Sequence, residues 1–92
     1  MIKLSTKIIR NPRVISRKVK DQSFILDVRT GEIRTLNEVA NFIWELTKEK
    51  ISVKEIIEKI CTEYDVKRKM AHRDTFQFIK KYLELKLLKY NH

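Results

Sequence analysis

Hydrophobic and polar positions follow two different periods along this chain, and the change falls near residue 37. Before it, the pattern alternates. Ile15 and Val19 share one side of Val14–Lys20 with Arg17 between them, which reads as an edge-type strand. Phe24, Leu26 and Val28 alternate with Ser23, Ile25 and Asp27, the clearest strand of the chain. Ile33 and Thr35 alternate with Arg34 and Leu36, as in a half-buried strand. Asp21-Gln22 supplies one turn and Arg29-Thr30-Gly31 the other. Gly31 is the only glycine, so a positive φ is expected there. Three strands in sequence make an antiparallel meander, which needs helices laid on one face to be stable.

After residue 37 the period becomes helical. Asn37 is placed to cap a helix reaching Thr47, with Val39, Ala40, Ile43, Trp44 and Leu46 on a wide apolar face and Trp44 in the core. Ser52 and Glu55 match a capping box, and Ile51 and Ile56 a hydrophobic staple. Val53, Ile56, Ile57, Ile60, Cys61 and Tyr64 then form one continuous stripe that predicts a helix ending near Tyr64-Asp65. A third helix is expected to start between Arg68 and Arg73 and run to about Leu88, with Asp74 favoured in its early turns by the helix dipole. Thr75, Ile79 and Tyr82 form its central line, flanked by Phe76, Leu83 and Leu87 on one side and by Phe78 and Leu85 on the other. Either all of these are core, or one flank lines a groove. The order of elements makes the fold α+β, a three-stranded antiparallel sheet followed by three helices.

Composition narrows the picture. The 92 residues are 42% hydrophobic, enough for one modest core. No apolar run approaches the roughly 18 residues of a membrane span, so no membrane partner is expected. Met1–Arg10 lacks the apolar region and cleavage site of a signal peptide. Cys61 is the single cysteine, which excludes an internal disulfide framework and fits a cytoplasmic protein. The net charge of +9 is concentrated early, since residues 1–20 hold seven lysines and arginines and no acid. Residues 1–12 are therefore expected to be a basic N-terminal arm, either loose or a short added strand, preceding a folded domain of residues 13–92. Such an arm either solubilises the chain or attracts an acidic partner by long-range steering.

Catalytic chemistry is thinly represented. The two histidines, His72 and His92, stand apart, and Cys61 falls on an apolar stripe where a structural thiol belongs. No Cys/His spacing suits zinc and no glycine-rich loop could cradle a phosphate. Asp27 and Glu32 flank a hairpin, a common place for surface carboxylates. The sequence offers no catalytic residue, metal site or cofactor site, and no enzyme is expected.

From Arg17 to Leu88 the chain resembles the PqqD-like family, which includes protein D of pyrroloquinoline quinone biosynthesis and related recognition elements for ribosomally made, modified peptides. The resemblance is carried by Ile25-Leu26-Asp27, Thr30-Gly31-Glu32, Thr35-Leu36-Asn37-Glu38-Val39-Ala40 and Ile43-Trp44-Glu45-Leu46. Ser52-Val53-Lys54-Glu55-Ile56-Ile57, Asp74 with Phe78-Ile79, and Leu87-Leu88 continue it in order. Two departures stand out: Thr47-Lys48-Glu49-Lys50 replaces the usual Asp-Gly turn, and Lys86 stands where the family has glycine.

The resemblance implies a winged-helix-like domain that binds the leader of a precursor peptide and presents it to a modifying enzyme, such as a radical SAM protein or a leader peptidase. The leader would add beside Glu32–Leu36 in a groove walled by the last helix. The residues so implied are Glu32, Ile33, Arg34, Thr35, Leu36, Asp74, Thr75, Phe78, Lys81 and Tyr82. Strand addition also makes physical sense at the end of a meander, where one row of backbone groups lacks partners. The same edge is open to pairing with a second copy in a homodimer. The alternative is a winged-helix nucleic-acid binder. Its recognition helix would have to read bases with Gln77, Lys80, Lys81 and Glu84 among many aromatics and leucines, a poor set for that purpose.

Overall fold

The computed structural model describes residues 1–91 and places nine elements in chain order. They are β1 (Lys7–Arg10), β2 (Ile15–Val19), β3 (Gln22–Asp27), β4 (Glu32–Thr35), α1 (Glu38–Leu46), β5 (Ile51–Ser52), α2 (Val53–Glu63), α3 (Arg68–Glu84) and β6 (Leu88–Tyr90). Among the described residues no helix is long and apolar enough to cross a membrane. His92 lies outside the described residues.

The expected meander is present as a sheet of order β2-β3-β4, hereafter the wing. Its first hairpin turns at Lys20-Asp21, with Val19 opposite Gln22, so Gln22 belongs to the strand rather than to the turn. Lys20 takes φ +58°, the positive value that a two-residue hairpin loop requires. The second turn has Gly31 at φ +76°, and its amide donates to the Asp27 carbonyl at 2.7 Å.

The alternation of β3 resolves into an inner and an outer face. Ser23, Ile25 and Asp27 are buried, whereas Phe24 and Leu26 are half-buried on the outer face and Val28 is exposed. Partners elsewhere in the chain make the polar inner positions tolerable. The Ser23 hydroxyl donates to Glu45 Oε1 at 3.3 Å, and Asp27 Oδ1 accepts from the Arg29 amide at 3.0 Å.

A second sheet, order β5-β1-β6, has no counterpart in the sequence pattern. Lys7–Arg10 is its central strand, so this part of the basic segment is the added strand rather than a loose arm. Ile8 pairs with Ile51 on one side and with Tyr90 on the other, and its side chain is fully buried. Helix α3 correspondingly stops at Glu84, short of Leu88. Lys86 takes φ +62° and turns the chain into β6. Leu87 and Leu88 are buried, but on this turn and strand rather than on a helix flank.

The other helix ends agree with their sequence signals. Asn37 Oδ1 accepts from the Ala40 amide at 2.8 Å at the start of α1. Ser52 and Glu55 form the reciprocal capping box of α2, at 3.1 and 3.2 Å. The core runs between the layers through Ile8, Ile25, Ile43, Trp44, Val53, Ile56, Ile57, Ile60 and Ile79.

Candidate peptide groove

Among the described residues strand β4 pairs with β3 alone, so its other side is an open edge. The two-residue hairpin fixes which backbone groups reach that edge. Val19 and Gln22 must exchange hydrogen bonds, so Gln22, Phe24 and Leu26 direct their backbone groups at β2. Ser23, Ile25 and Asp27 then direct theirs at β4, onto Arg34 and Glu32. The amides and carbonyls of Ile33 and Thr35 are left facing outward. Beyond Thr35 the Gln22 side-chain amide donates to the Leu36 carbonyl at 2.6 Å and ties the strand's end to the start of β3.

Beside this end of β4 runs a groove of about 470 Å³. One wall is Thr35, Leu36 and Asn37, the floor is Val39, Ala40 and Ile43 of α1, and the far wall is α3. Asp74, Gln77, Phe78, Lys81 and Tyr82 lie at helical spacing on that far wall. The Phe78 and Tyr82 rings stack with centroids 4.0 Å apart, and Tyr82 meets Trp44 at 6.1 Å. Burial raises the Tyr82 phenol above its ordinary pKa, against the opposing charge of Arg34. The groove thus pairs an aromatic step with one cation, Lys81, and one carboxylate, Asp74.

Of the residues named from the sequence, Thr35, Leu36, Asp74, Phe78, Lys81 and Tyr82 line this groove. Arg34 is half-buried on the inner face of β4, 3.7 Å from Glu32, and Glu32 itself is exposed near the hairpin turn. Ile33 points to the outer face of the wing. Thr75 does not reach the groove: it is fully buried, one position round the helix from Asp74. The flank of α3 that lines the groove is the one carrying Phe78. Phe76 and Leu83 instead border a separate apolar cavity with Ile2. Asn37, Val39, Ala40, Ile43 and Gln77 were not anticipated as groove residues. The α1 positions look like ordinary core from their period, and only the gap between β4 and α3 reveals their second role.

Among the described residues no group of histidine, cysteine and acidic side chains is placed to hold a metal ion. Cys61 is a free, half-buried thiol on α2.

Residues 22–88 match the family described as coenzyme PQQ synthesis protein D (PqqD). Comparison with curated proteins finds no match. Two solved structures superpose over most of the chain. One, TbiB1 in complex with the TbiA(beta) leader peptide, is 31% identical with a TM-score of 0.80, covering 88% of this chain and 94% of that one. The other, lasso peptide synthetase B1 complexed with the leader peptide, is 23% identical with a TM-score of 0.77, covering 89% of this chain and 96% of that one. The latter likeness establishes the shared fold.

Proposed function

Because the chain belongs to the coenzyme PQQ synthesis protein D (PqqD) family, we propose that it binds the leader segment of a ribosomally made precursor peptide and presents it to a modifying enzyme. The observation that carries this reading is the open edge of β4 lying alongside a groove of mixed lining, with an aliphatic floor on α1 and the Phe78–Tyr82 step on its far wall, α3. An extended peptide joining that edge satisfies the outward groups of Ile33 and Thr35. Its inward side chains then meet Phe78, Tyr82 and Ile43. The TbiB1 structure, which holds a leader peptide, supports the same assignment.

Catalysis in this scheme belongs to the partner enzyme, a radical SAM protein or a leader peptidase, and the setting is the cytoplasm, where the lone Cys61 stays reduced. The nucleic-acid reading gains nothing from the geometry. The groove side of α3 offers one lysine and an aromatic pair, and Lys80 borders a different cavity.

The test is to titrate isotopically labelled protein with the leader of a precursor encoded beside this chain and to follow amide shifts. Shifts concentrated in residues 31–37 and 71–85, with modest salt dependence, are expected. Shifts confined to the basic residues before Lys20, with binding to any polyanion that collapses in salt, would reject the proposal.

A further inference from the structure

The outer face of the wing carries a row of aliphatic side chains left exposed by the other elements among the described residues. Ile15, Leu26 and Ile33 stand directly opposite one another across β2, β3 and β4. They border a shallow cavity of about 220 Å³ together with Phe24 and Arg17. Ile15 is 51% and Ile33 69% exposed, unusual for isoleucines flanking a leucine in one sheet. A row of this kind is the usual inner face of a sheet, yet here the body of the protein packs on the opposite side.

The row is unfinished at one end. It stops at Ile33, on the strand whose outward backbone groups are free to accept another strand. Whatever pairs with β4 places a side chain next to Ile33 on this same face, at cross-strand distance. A second copy of the chain fits the row poorly as a face-to-face partner. Arg17 sits beside it, opposite Phe24, and each copy carries a net charge of +9.

We propose that the leader strand is read on both faces of the enlarged sheet, with an apolar side chain of the leader seated beside Ile33 to extend the Ile15–Leu26–Ile33 row to a fourth strand. This rests on the leader-binding function proposed above and adds a second specificity site to it. The groove reads the leader residues that face α3, and Ile33 reads one of the residues between them. Leaders for this chain therefore carry apolar residues at positions of both parities rather than only at alternate ones. A polar or charged residue beside Ile33 would leave the row open to water.

The test uses a synthetic peptide of the leader from the precursor encoded beside this chain, with affinity measured by calorimetry. Ile33→Thr keeps a β-branched residue at an exposed position, so its melting temperature should stay at the wild-type value. The expected result is a weakening of roughly two- to five-fold, the size of one cross-strand pair. Alanine at one apolar leader position should weaken binding to the wild type by a similar factor and have no further effect on Ile33→Thr. Strictly additive losses at every apolar leader position would overturn the inference, as would full affinity of Ile33→Thr alongside a loss in Phe78→Ala. Both results would leave leader binding itself standing. A wild-type chain that binds no such leader would instead overturn the proposed function and this inference with it.

Discussion

The two sheets each have three strands but are of opposite construction. The wing is local: its three strands follow one another through two short turns, and its open edge and outer face meet solvent. The β5-β1-β6 sheet is assembled from three distant parts of the chain and buries Ile8, Ile51 and Leu88. The joint between them is polar and aromatic. The Trp44 indole N–H donates to Ser16 Oγ of the wing at 3.2 Å, while the Arg10 guanidinium of β1 lies 4.2 Å from the Trp44 ring. Glu45 takes the Ser23 hydroxyl on the wing side, and on the other side it faces Arg10 at 3.8 Å and Lys48 at 2.7 Å. The comparison teaches a division of labour. The scattered sheet closes the body, and the local one is held out from it with an edge to spare.

The strongest way to break this arrangement is at the joint. Trp44 is fully buried and touches both sheets and Tyr82, so Trp44→Ala should cost about 3–5 kcal/mol and unfold the domain or nearly so. Thermal denaturation checks it, and an unchanged melting temperature would show that the joint is not where stability resides.

Next comes a matched pair of isoleucines. Ile8→Ala in the closed sheet should cost about 2–5 kcal/mol, whereas Ile33→Ala on the exposed face should stay within about 0.5 kcal/mol. Chemical denaturation of both variants tests the contrast. Native-state hydrogen exchange sharpens it, because the amides of Ile8 and Arg10 should exchange slowly and those of Ile33 and Thr35 quickly until a leader is bound.

Within the wing, two prolines divide its paired and open backbone groups. The Arg34 amide faces β3, so Arg34→Pro removes a native ladder bond and should destabilise the fold by about 1–3 kcal/mol. The Thr35 amide faces the open edge, so Thr35→Pro should leave the melting temperature nearly unchanged and weaken leader binding instead. Equal stability losses in the two variants would show that the inferred phase of the ladder is wrong.

The smallest expected effect is electrostatic. Partial burial pushes the Glu45 carboxyl up, but the hydrogen bond and charge of Lys48, with Lys18 and Arg10, outweigh it and leave its pKa below the ordinary 4.5. The folded value lies below the unfolded one. The stability Glu45 contributes is therefore present above that ordinary value and is lost as pH falls through the folded one. The difference in melting temperature between wild type and Glu45→Gln should shrink as pH is lowered from about 7 to about 3.

Much of the architecture was legible because its signals are local. The Asn37 cap, the Ser52–Glu55 box, the Gly31 turn and the buried Trp44 each follow from a few neighbouring residues. Strands β5 and β6 were not, since two and three residues are too few to show a period, and β1, whose residues show no clear alternation, was open between a loose arm and an added strand. Their hydrophobic partners also lie far along the chain. The facing of β3 also depends on residues far along the chain. The alternation shows two faces without saying which turns inward, and Ser23 and Asp27 join Ile25 in the interior, where Glu45 and Arg29 reach them. Six of the ten groove residues named from the sequence line the groove, and Thr75 was misplaced because it sits one helical position round from Asp74.

The register of Ile8 opposite Tyr90 has a consequence for how the protein forms. Both wing hairpins close within a handful of residues and can do so early, whereas β1 waits for β5, beyond α1, on one side and for β6, beyond α3, on the other. The entropy of closing so long a loop grows only logarithmically, but it must be met before burial of Ile8 rewards it. Folding should therefore show an early phase in which the wing is formed and Ile8 is still exposed. During that interval the unpaired β1 and the open β4 edge are both available to strands of other molecules, and aggregation should be worst then, at high protein concentration.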